Sequence, residues 1–369
     1  MLGLEPSIHT ASTSSLGMDP RLKAEEDGEW GWRSRQTRRR CAGEPPFHIE
    51  SVARMISLLA RRFAALLVTL VIVSLLIFAV MDLLPGDPAS IMLGTSATPE
   101  TLAALRHSLG LDQPLLLRYG QWLTGVLSGD LGSSLTYGVP VAGLIVERLA
   151  VTLPLALMAI VLSVAIALPL GVVAASRRGG VFDIIATLFS QISIAVPAFW
   201  VALLLIILFS TMLGLMPAGG FPGWSAGLLP ALQALVMPAV ALAMPQAGVL
   251  TRVARSAVLD TMHEDFARTA VAKGLSRSAV LWRHIVPNAL IPILTMIGLQ
   301  FTFLVAGAVL VENVFNLPGL GRLALQALSQ RDIIVMQDVV LFFAGLVIVM
   351  NFIVDLSYLA IDPRMRKAA

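Results

Sequence analysis

Phe63 to Met81 reads FAALLVTLVIVSLLIFAVM, with Arg61 and Arg62 before it and Asp82-Leu83-Leu84-Pro85-Gly86-Asp87-Pro88 after it. The run carries no charge, and its length matches the ~20 residues a helix needs to cross a hydrocarbon core. A secretory signal would have a shorter apolar region and a small-residue cleavage site. The turn-rich break here has no such pattern, so the stretch reads as a retained anchor. Further apolar stretches lie near 149–174, 184–213, 229–251, 289–311 and 338–360. They predict an all-α membrane protein of six spans. Pro154, Pro169, Pro197, Pro230, Pro238 and Pro245 fall within them; neighbouring helices re-satisfy the carbonyls that such prolines free. The third stretch is long enough to tilt or to include a surface turn.

Composition agrees. Hydrophobic residues make up 57% of the chain and charged residues 13%, against about 25% charged in a soluble domain. Lipid must supply the missing solvent. The net charge of +3 is too small beside these apolar runs to make nucleic acid the main partner. Cys41 is the single cysteine, so no internal disulfide and no cysteine-based metal site is possible.

Residues 1–54 differ from the rest, being polar with nearly cancelling charges and no sustained apolar period. They read either as a disordered tail, unable to bury enough surface to offset ordering entropy, or as an extension foreign to a native protein that starts at Met55. In the first case Arg33, Arg35, Arg38, Arg39 and Arg40 suit anionic lipid. The expected order is then a first span at 55–82, an outer helical subdomain at 83–148, a five-helix core at 149–361 and a tail at 362–369. In the subdomain, Thr98-Pro99-Glu100 supplies an N-cap and an N1 proline, and Leu102, Leu105 and Leu109 follow before Gly110. A second amphipathic stretch carries Leu115, Leu116, Tyr119, Trp122, Leu123 and Val126.

Lys and Arg in alternating loops give the orientation. One side holds Arg54, Arg61, Arg62, Arg177, Arg178, Arg252, Arg255, Arg268, Lys273, Arg277, Arg283, Arg364, Arg366 and Lys367. The other holds Arg106, Arg118, Arg148, Arg322 and Arg331. Both termini and the 252–288 loop are therefore expected in the cytosol, with 83–148 outside.

What is missing narrows the chemistry. Lysine occurs at Lys23, Lys273 and Lys367, none after a glycine, so there is no G-x-x-x-x-G-K loop to cradle ATP phosphates. No H-E-x-x-H occurs, and His263-Glu264 is a lone pair on an expected surface helix. Four of the apolar stretches contain no ionisable residue, whereas ion-coupled transporters place such groups inside the bilayer. Asp355, with Asn351 a turn deeper, reads as interfacial. Energy for uphill transport would have to enter from outside the membrane, and a secondary transporter or a non-transporting scaffold is the rival class.

The loop 252–288 carries the most information. Thr261-Met262-His263-Glu264 has the form of a capping box, and Phe266, Ala267, Ala270 and Val271 follow at helical spacing. Gly274 ends that helix where positive φ is needed. Ser276 opens a second helix through Val280, Leu281 and His284 to Pro287-Asn288. Between two spans, this is a helix–glycine–helix elbow. A plain connector would need only about 2–8 residues.

Ala270-x-x-x-Gly274 followed by Pro287 resembles the EAA loop of permease subunits in binding-protein-dependent ABC importers. The string Arg268-Thr269-Ala270-Val271-Ala272-Lys273-Gly274-Leu275 resembles the variant in the dipeptide, oligopeptide and nickel branch. Arg268 and Thr269 stand where the general pattern has glutamate and alanine, and His284 where isoleucine is common. Leu84-Pro85-Gly86-Asp87-Pro88, Leu109-Gly110-Leu111-Asp112-Gln113-Pro114, Gly129-Asp130-Leu131-Gly132, Val311-Glu312 with Val314-Phe315, Pro318-Gly319-Leu320-Gly321-Arg322 and Asp362-Pro363-Arg364 resemble that branch in order. The long outer segment is similar to the B-type member of its permease pair. The resemblance implies a type I ABC importer transmembrane domain with no catalysis and no cofactor of its own. It implies three kinds of partner: a second permease, two cytosolic ATPases that bind ATP and Mg, and an extracytoplasmic solute-binding protein. Arg268, Thr269, Ala270, Gly274 and Pro287 would couple to the ATPases, small side chains at Ala270 and Gly274 letting the backbone approach its partner. The solute stays open between di- or oligopeptides, nickel, glutathione and another small compound.

Overall fold

The computed structural model describes residues 47–83, 88–94, 97–108 and 110–361. The tail up to residue 46, the Leu84–Asp87 part of the first turn motif, Leu109 and the 362–369 ending lie outside them. Contacts divide the chain into Met1–Ile56 and a main body, Ser57–Ala369. Of the former, only the helical residues 47–56 are described.

Helices account for nearly all of the described residues. The first, α1 (Phe47–Leu83), is followed by α2 (Pro88–Leu93), α3 (Pro99–Ser108) and α4 (Leu115–Ser128). The long helix α5 (Val141–Ser176) leads through a tight turn to α6 (Val181–Ala195) and α7 (Ala198–Leu205), which a π-type turn extends to Met212. Next come α8 (Leu228–Met262), two short helices α9 (Asp265–Ala272) and α10 (Arg277–Val280), then α11 (Val286–Val314), α12 (Leu320–Gln330) and α13 (Ile333–Ile361). Among the described residues, five helices are long and apolar enough to cross a membrane, or six spans if α6 and α7 count as one.

The third apolar stretch departs from a continuous span. It is broken at Val196-Pro197, where α6 and the α7 segment meet at 99°. Proline disfavours the α region for the residue before it, and Val196 is extended at φ −93° and ψ 121°. Elsewhere the prolines stay inside: Pro154 and Pro169 in α5, Pro238 and Pro245 in α8.

The organising element is α8, which packs against α5, α6, α7 and α11. Its inward face is largely alanine: Ala231, Ala239, Ala241, Ala243, Ala247, Ala254 and Ala257 are buried. Water exclusion does not drive helices together in lipid, so close backbone approach does, and small residues permit it. At the α5–α8 crossing a Cβ on Gly171 would lie 2.6 Å from Ala254 Cβ and 3.0 Å from Arg255 N. At the α6–α8 crossing Ser190 Oγ donates to the Gly248 carbonyl at 2.6 Å. By contrast, Leu67, Val68, Val71, Ile72, Leu75 and Leu76 leave much of α1 exposed and apolar, as a lipid-facing surface would be.

The segment between the first two long helices is bound to the spans rather than free. Helix α5 begins at Val141, ahead of the apolar stretch that opens at Leu149. Leu131, Val141 and Ile145 share a cluster with Leu320, Leu323 and Ala327 of α12 and Val335 and Val339 of α13. Polar contacts add register: Ser74 with Tyr119 at 2.9 Å, Trp122 Nε1 to Asp338 Oδ1 at 2.9 Å, and Ser134 Oγ to Asp332 Oδ2 at 2.5 Å. Arg118 pairs with Asp82 at 2.7 Å. The expected N-cap at Thr98 is present, its Oγ1 accepting from Thr101 N at 3.3 Å. At its other end α1 meets α13 through an Arg62–Asp355 ion pair and an edge-to-face Phe63–Phe352 contact.

Candidate functional site

The 252–288 segment forms a helix–glycine–helix elbow. Helix α8 runs on to Met262, which changes the expected start of the elbow: Thr261 is its last turn, and its Oγ1 donates to the Ala257 carbonyl at 2.7 Å. The capping box therefore does not form. Glu264 itself is the N-cap of α9 and makes no side-chain cap bond. Gly274 closes the turn after α9 at φ +85°, with nothing within 4 Å of an added Cβ. Its N–H donates to the Val271 carbonyl at 2.9 Å, and Leu275 N donates to the Ala270 carbonyl at 3.3 Å. Ser276 caps α10, accepting from Ala279 N at 3.3 Å.

A π-type turn, Leu281–Ile285, joins α10 to α11. It places Pro287 in the first turn of α11, where a missing N–H costs little. Asn288 Nδ2 donates to the His284 carbonyl at 2.6 Å.

Two faces of the elbow differ. The upper face is continuous with the spans: Ala267, Ala270, Val280 and Ile285 pack with Val172 and Ala175 of α5, Ala254, Ala257 and Val258 of α8, and Ala289 and Ile293 of α11. Ala270 is thus buried inside the molecule, and its small side chain lets α9 approach its own span ends. Arg268 and Thr269 are exposed, as are Gly274 and Pro287. Thr269 Oγ1 donates to the Asp265 carbonyl at 2.8 Å. The nearest acid to Arg268 is Asp265 at 4.0 Å, with both side chains largely in solvent.

The lower face, the rest of the elbow's surface, leaves Phe266, Val271, Leu275 and Trp282 exposed, the last by 58%. A groove of about 370 Å³ runs between Met262, Arg268, Val271, Arg277 and Val280. It brings Arg268 and Arg277 to one opening, whereas Thr269, Gly274 and Pro287 do not line it. Aromatic and aliphatic groups rimmed by arginine are the make-up of a protein–protein surface. Arg277 and Trp282 were not singled out from sequence; a bulky indole on an otherwise charged loop was the available signal.

Above the elbow, Asp183 and Arg255 form a two-bonded pair, Nε to Oδ1 at 2.5 Å and Nη2 to Oδ2 at 2.9 Å. Asp183 is buried in the first turn of α6, and Gly179 N also donates to it at 2.9 Å. The pair ties the 177–180 turn and α6 to α8 close to the elbow.

Three further carboxylates are buried away from the elbow. Glu312 is fully enclosed, accepting from Thr152 Oγ1 at 2.6 Å and Arg322 N at 3.1 Å. Leu320 N donates to the same Thr152 Oγ1 at 2.8 Å. A Cβ on Gly319 would overlap the Glu312 carboxyl group, so glycine allows the backbone to close over it. Asp332 accepts from Ser134 Oγ, Thr136 N and Val335 N. Asp338 accepts from the Trp122 indole, while its Oδ2 has no partner among the described residues. No group of three or more metal-ligating side chains occurs among the described residues.

Comparison with known proteins places this architecture. Residues 167–367 match the family model described as binding-protein-dependent transport system inner membrane component, and residues 55–156 match the N-terminal model of the same membrane component. A Brucella abortus (strain 2308) protein named as a peptide transport system permease is 42% identical over 312 residues, covering 85% of this chain and 99% of the relative. The glutathione transport system permease protein GsiC of Salmonella choleraesuis is 38% identical over 312 residues, with the same two shares of 85% and 99%. Among solved structures, the inward-facing MetNI methionine ABC transporter aligns over 59% of this chain and 96% of its own, at 19% identity and a TM-score of 0.47. With both family models matched in order and relatives similar over nearly their whole length, the chain belongs to the inner-membrane permease components of binding-protein-dependent ABC transport systems.

Proposed function

We propose that this chain is one of two permeases in an ABC importer that carries di- or oligopeptides inward, with its elbow docked on a cytosolic ATPase. The observation that carries this reading is the two-faced elbow. Its apolar, arginine-rimmed lower face is uncovered, while its upper face shares one core with the inner ends of α5, α8 and α11. A push on α9 therefore reaches three spans without crossing a flexible joint. Arg268, Arg277, Val271 and Trp282 would meet the ATPase, and Ala270 and Gly274 would hold α9 at its angle. Pro287 would fix the start of α11.

The sequence has no phosphate-cradling loop of its own, which supports ATP and Mg binding in the partner subunits. The lysine and arginine bias supports cytosolic termini and a cytosolic elbow. The solute reading rests on relatives named as peptide permeases. Glutathione, itself a small peptide, is the second reading on the strength of the 38% identical relative. Reconstitution of the complex encoded with this chain tests both. Vesicles should accumulate labelled peptide only when ATP, both ATPases and the binding protein are present, and competing unlabelled glutathione should leave uptake unchanged. ATP-independent uptake, or none of any peptide, would overturn the proposal.

A further inference from the structure

A cavity of about 270 Å³ opens between α6 and α8, where Ala186 lies beside the polar groups of Thr187, Ser190, Gln191, Thr251, Arg252 and Arg255. Two of these are committed elsewhere, Ser190 to the Gly248 carbonyl and Arg255 to Asp183. Thr251 Oγ1 donates to the Ala247 carbonyl at 2.7 Å. The other three are not. Among the described residues, no hydrogen bond or ion pair engages the side chain of Thr187, Gln191 or Arg252, and all three are exposed. Thr187 and Gln191 stand one turn apart on α6, so both present polar groups to one side of this arm of the bent α6–α7 pair.

Lipid cannot face such a surface cheaply, because unpaired amides and hydroxyls find no partner in hydrocarbon. At about 1.5 Å per residue, Arg252 lies roughly 36 Å along α8 from Leu228. It sits at the inner rim of the span, one turn before the Asp183–Arg255 pair. Because Asp183 already neutralises Arg255, the cavity's free charge is the Arg252 guanidinium. A guanidinium is the fork-shaped donor that suits a carboxylate, and a neutral amide and hydroxyl beside it suit a peptide backbone.

We propose that this cavity is a solute station at the inner mouth of the pathway. Arg252 binds the carboxylate of the passing peptide, and Gln191 and Thr187 bond its amides. The proposal rests on the peptide-import reading above. Since Ala254, Ala257 and Val258 of the same helix are packed on the elbow, the station would be reshaped when the elbow moves, which suits release.

The test uses the whole complex with its binding protein in proteoliposomes and two probes, labelled trialanine and its C-terminal amide. Preference of the binding protein for either probe cancels when variant and wild type are compared as acid-to-amide uptake ratios. Arg252→Gln should lower that ratio about tenfold or more, as loss of a charge-assisted bond implies, and Arg252→Lys, which keeps the charge without the fork, should restore part of it. Equal loss for both probes, or no loss, would overturn the station. An anionic lipid headgroup is the other source of a bound anion. In that case Arg252→Gln would impair both probes alike in phosphatidylglycerol vesicles and neither in phosphatidylcholine vesicles, and the proposal would again be wrong. If the wild-type complex carries neither probe, the peptide reading fails first and the station falls with it.

Discussion

Thr152 of α5 and Glu312 of α11 meet through a 2.6 Å hydrogen bond in a fully buried site, although they lie 160 residues apart. The threonine oxygen also accepts from Leu320 N at 2.8 Å, so one hydroxyl joins three elements. Thr152→Val keeps the shape and removes both bonds. Each buried group left unpaired costs about 1–3 kcal/mol, so thermal unfolding of the detergent-solubilised protein should fall by several degrees. Thr152→Ser should stay near wild type, and a similar fall in both variants would place the effect in packing instead.

The Gly171 contact makes a second expectation separable from helix propensity. Gly171→Ala and Gly143→Ala are the same change in the same helix, yet a Cβ at 171 meets Ala254 Cβ at 2.6 Å and one at 143 meets nothing. Overpacking of this kind costs about 1–3 kcal/mol. Gly171→Ala should therefore lower the melting temperature and the yield of assembled complex, with Gly143→Ala unchanged. Equal melting would mean that α5 can shift without penalty.

At Gly274 the expected loss is coupling, not folding. A side chain there has open space but must adopt φ +85°, at about 1–3 kcal/mol for a non-glycine residue. Valine, stiff at χ1, should resist it more than alanine. Gly274→Val should leave membrane insertion and subunit ratio near normal while abolishing uptake and binding-protein-stimulated ATPase activity, with Gly274→Ala milder. Wild-type transport by Gly274→Val would remove the coupling role from this turn.

Orientation can be read by labelling. With Cys41 replaced, single cysteines at the exposed Ser128 and Ser276 should react with an impermeant maleimide from opposite sides, Ser128 from outside and Ser276 only after permeabilisation. Reaction of both from one side would refute the charge-bias topology.

The spans were legible because hydrocarbon thickness imposes a length that few other contexts require, and Gly274 and Ser276 because helix ends demand particular residues. The misses share another cause. The Val196 break is local in sequence, but the 99° turn depends on how α6 and α7 pack on α8. Thr261-x-x-Glu264 has a cap pattern that tertiary contacts overrode by prolonging α8. Asp183, Glu312 and Asp338 lie at or next to the ends of apolar stretches, where nothing local marks a carboxylate as buried. Their partners Arg255, Thr152 and Trp122 lie far along the chain, so only folding reveals them as enclosed. The cavity beside Arg252 was hidden for the same reason: a basic residue at the end of an apolar stretch reads as an orientation marker until its lack of a partner is visible.

The enclosure of Glu312 also bears on dynamics. The first amides of a helix have no partner within it, and at the start of α12, in a connecting segment, they would ordinarily exchange with solvent deuterium within seconds. Here Leu320 N–H is held by Thr152 and Arg322 N–H by Glu312, both from other helices. Opening either would uncover an enclosed carboxylate, so these amides should exchange on the slow timescale of the bundle's global unfolding. In protection pattern, this stretch of connecting backbone belongs to the core.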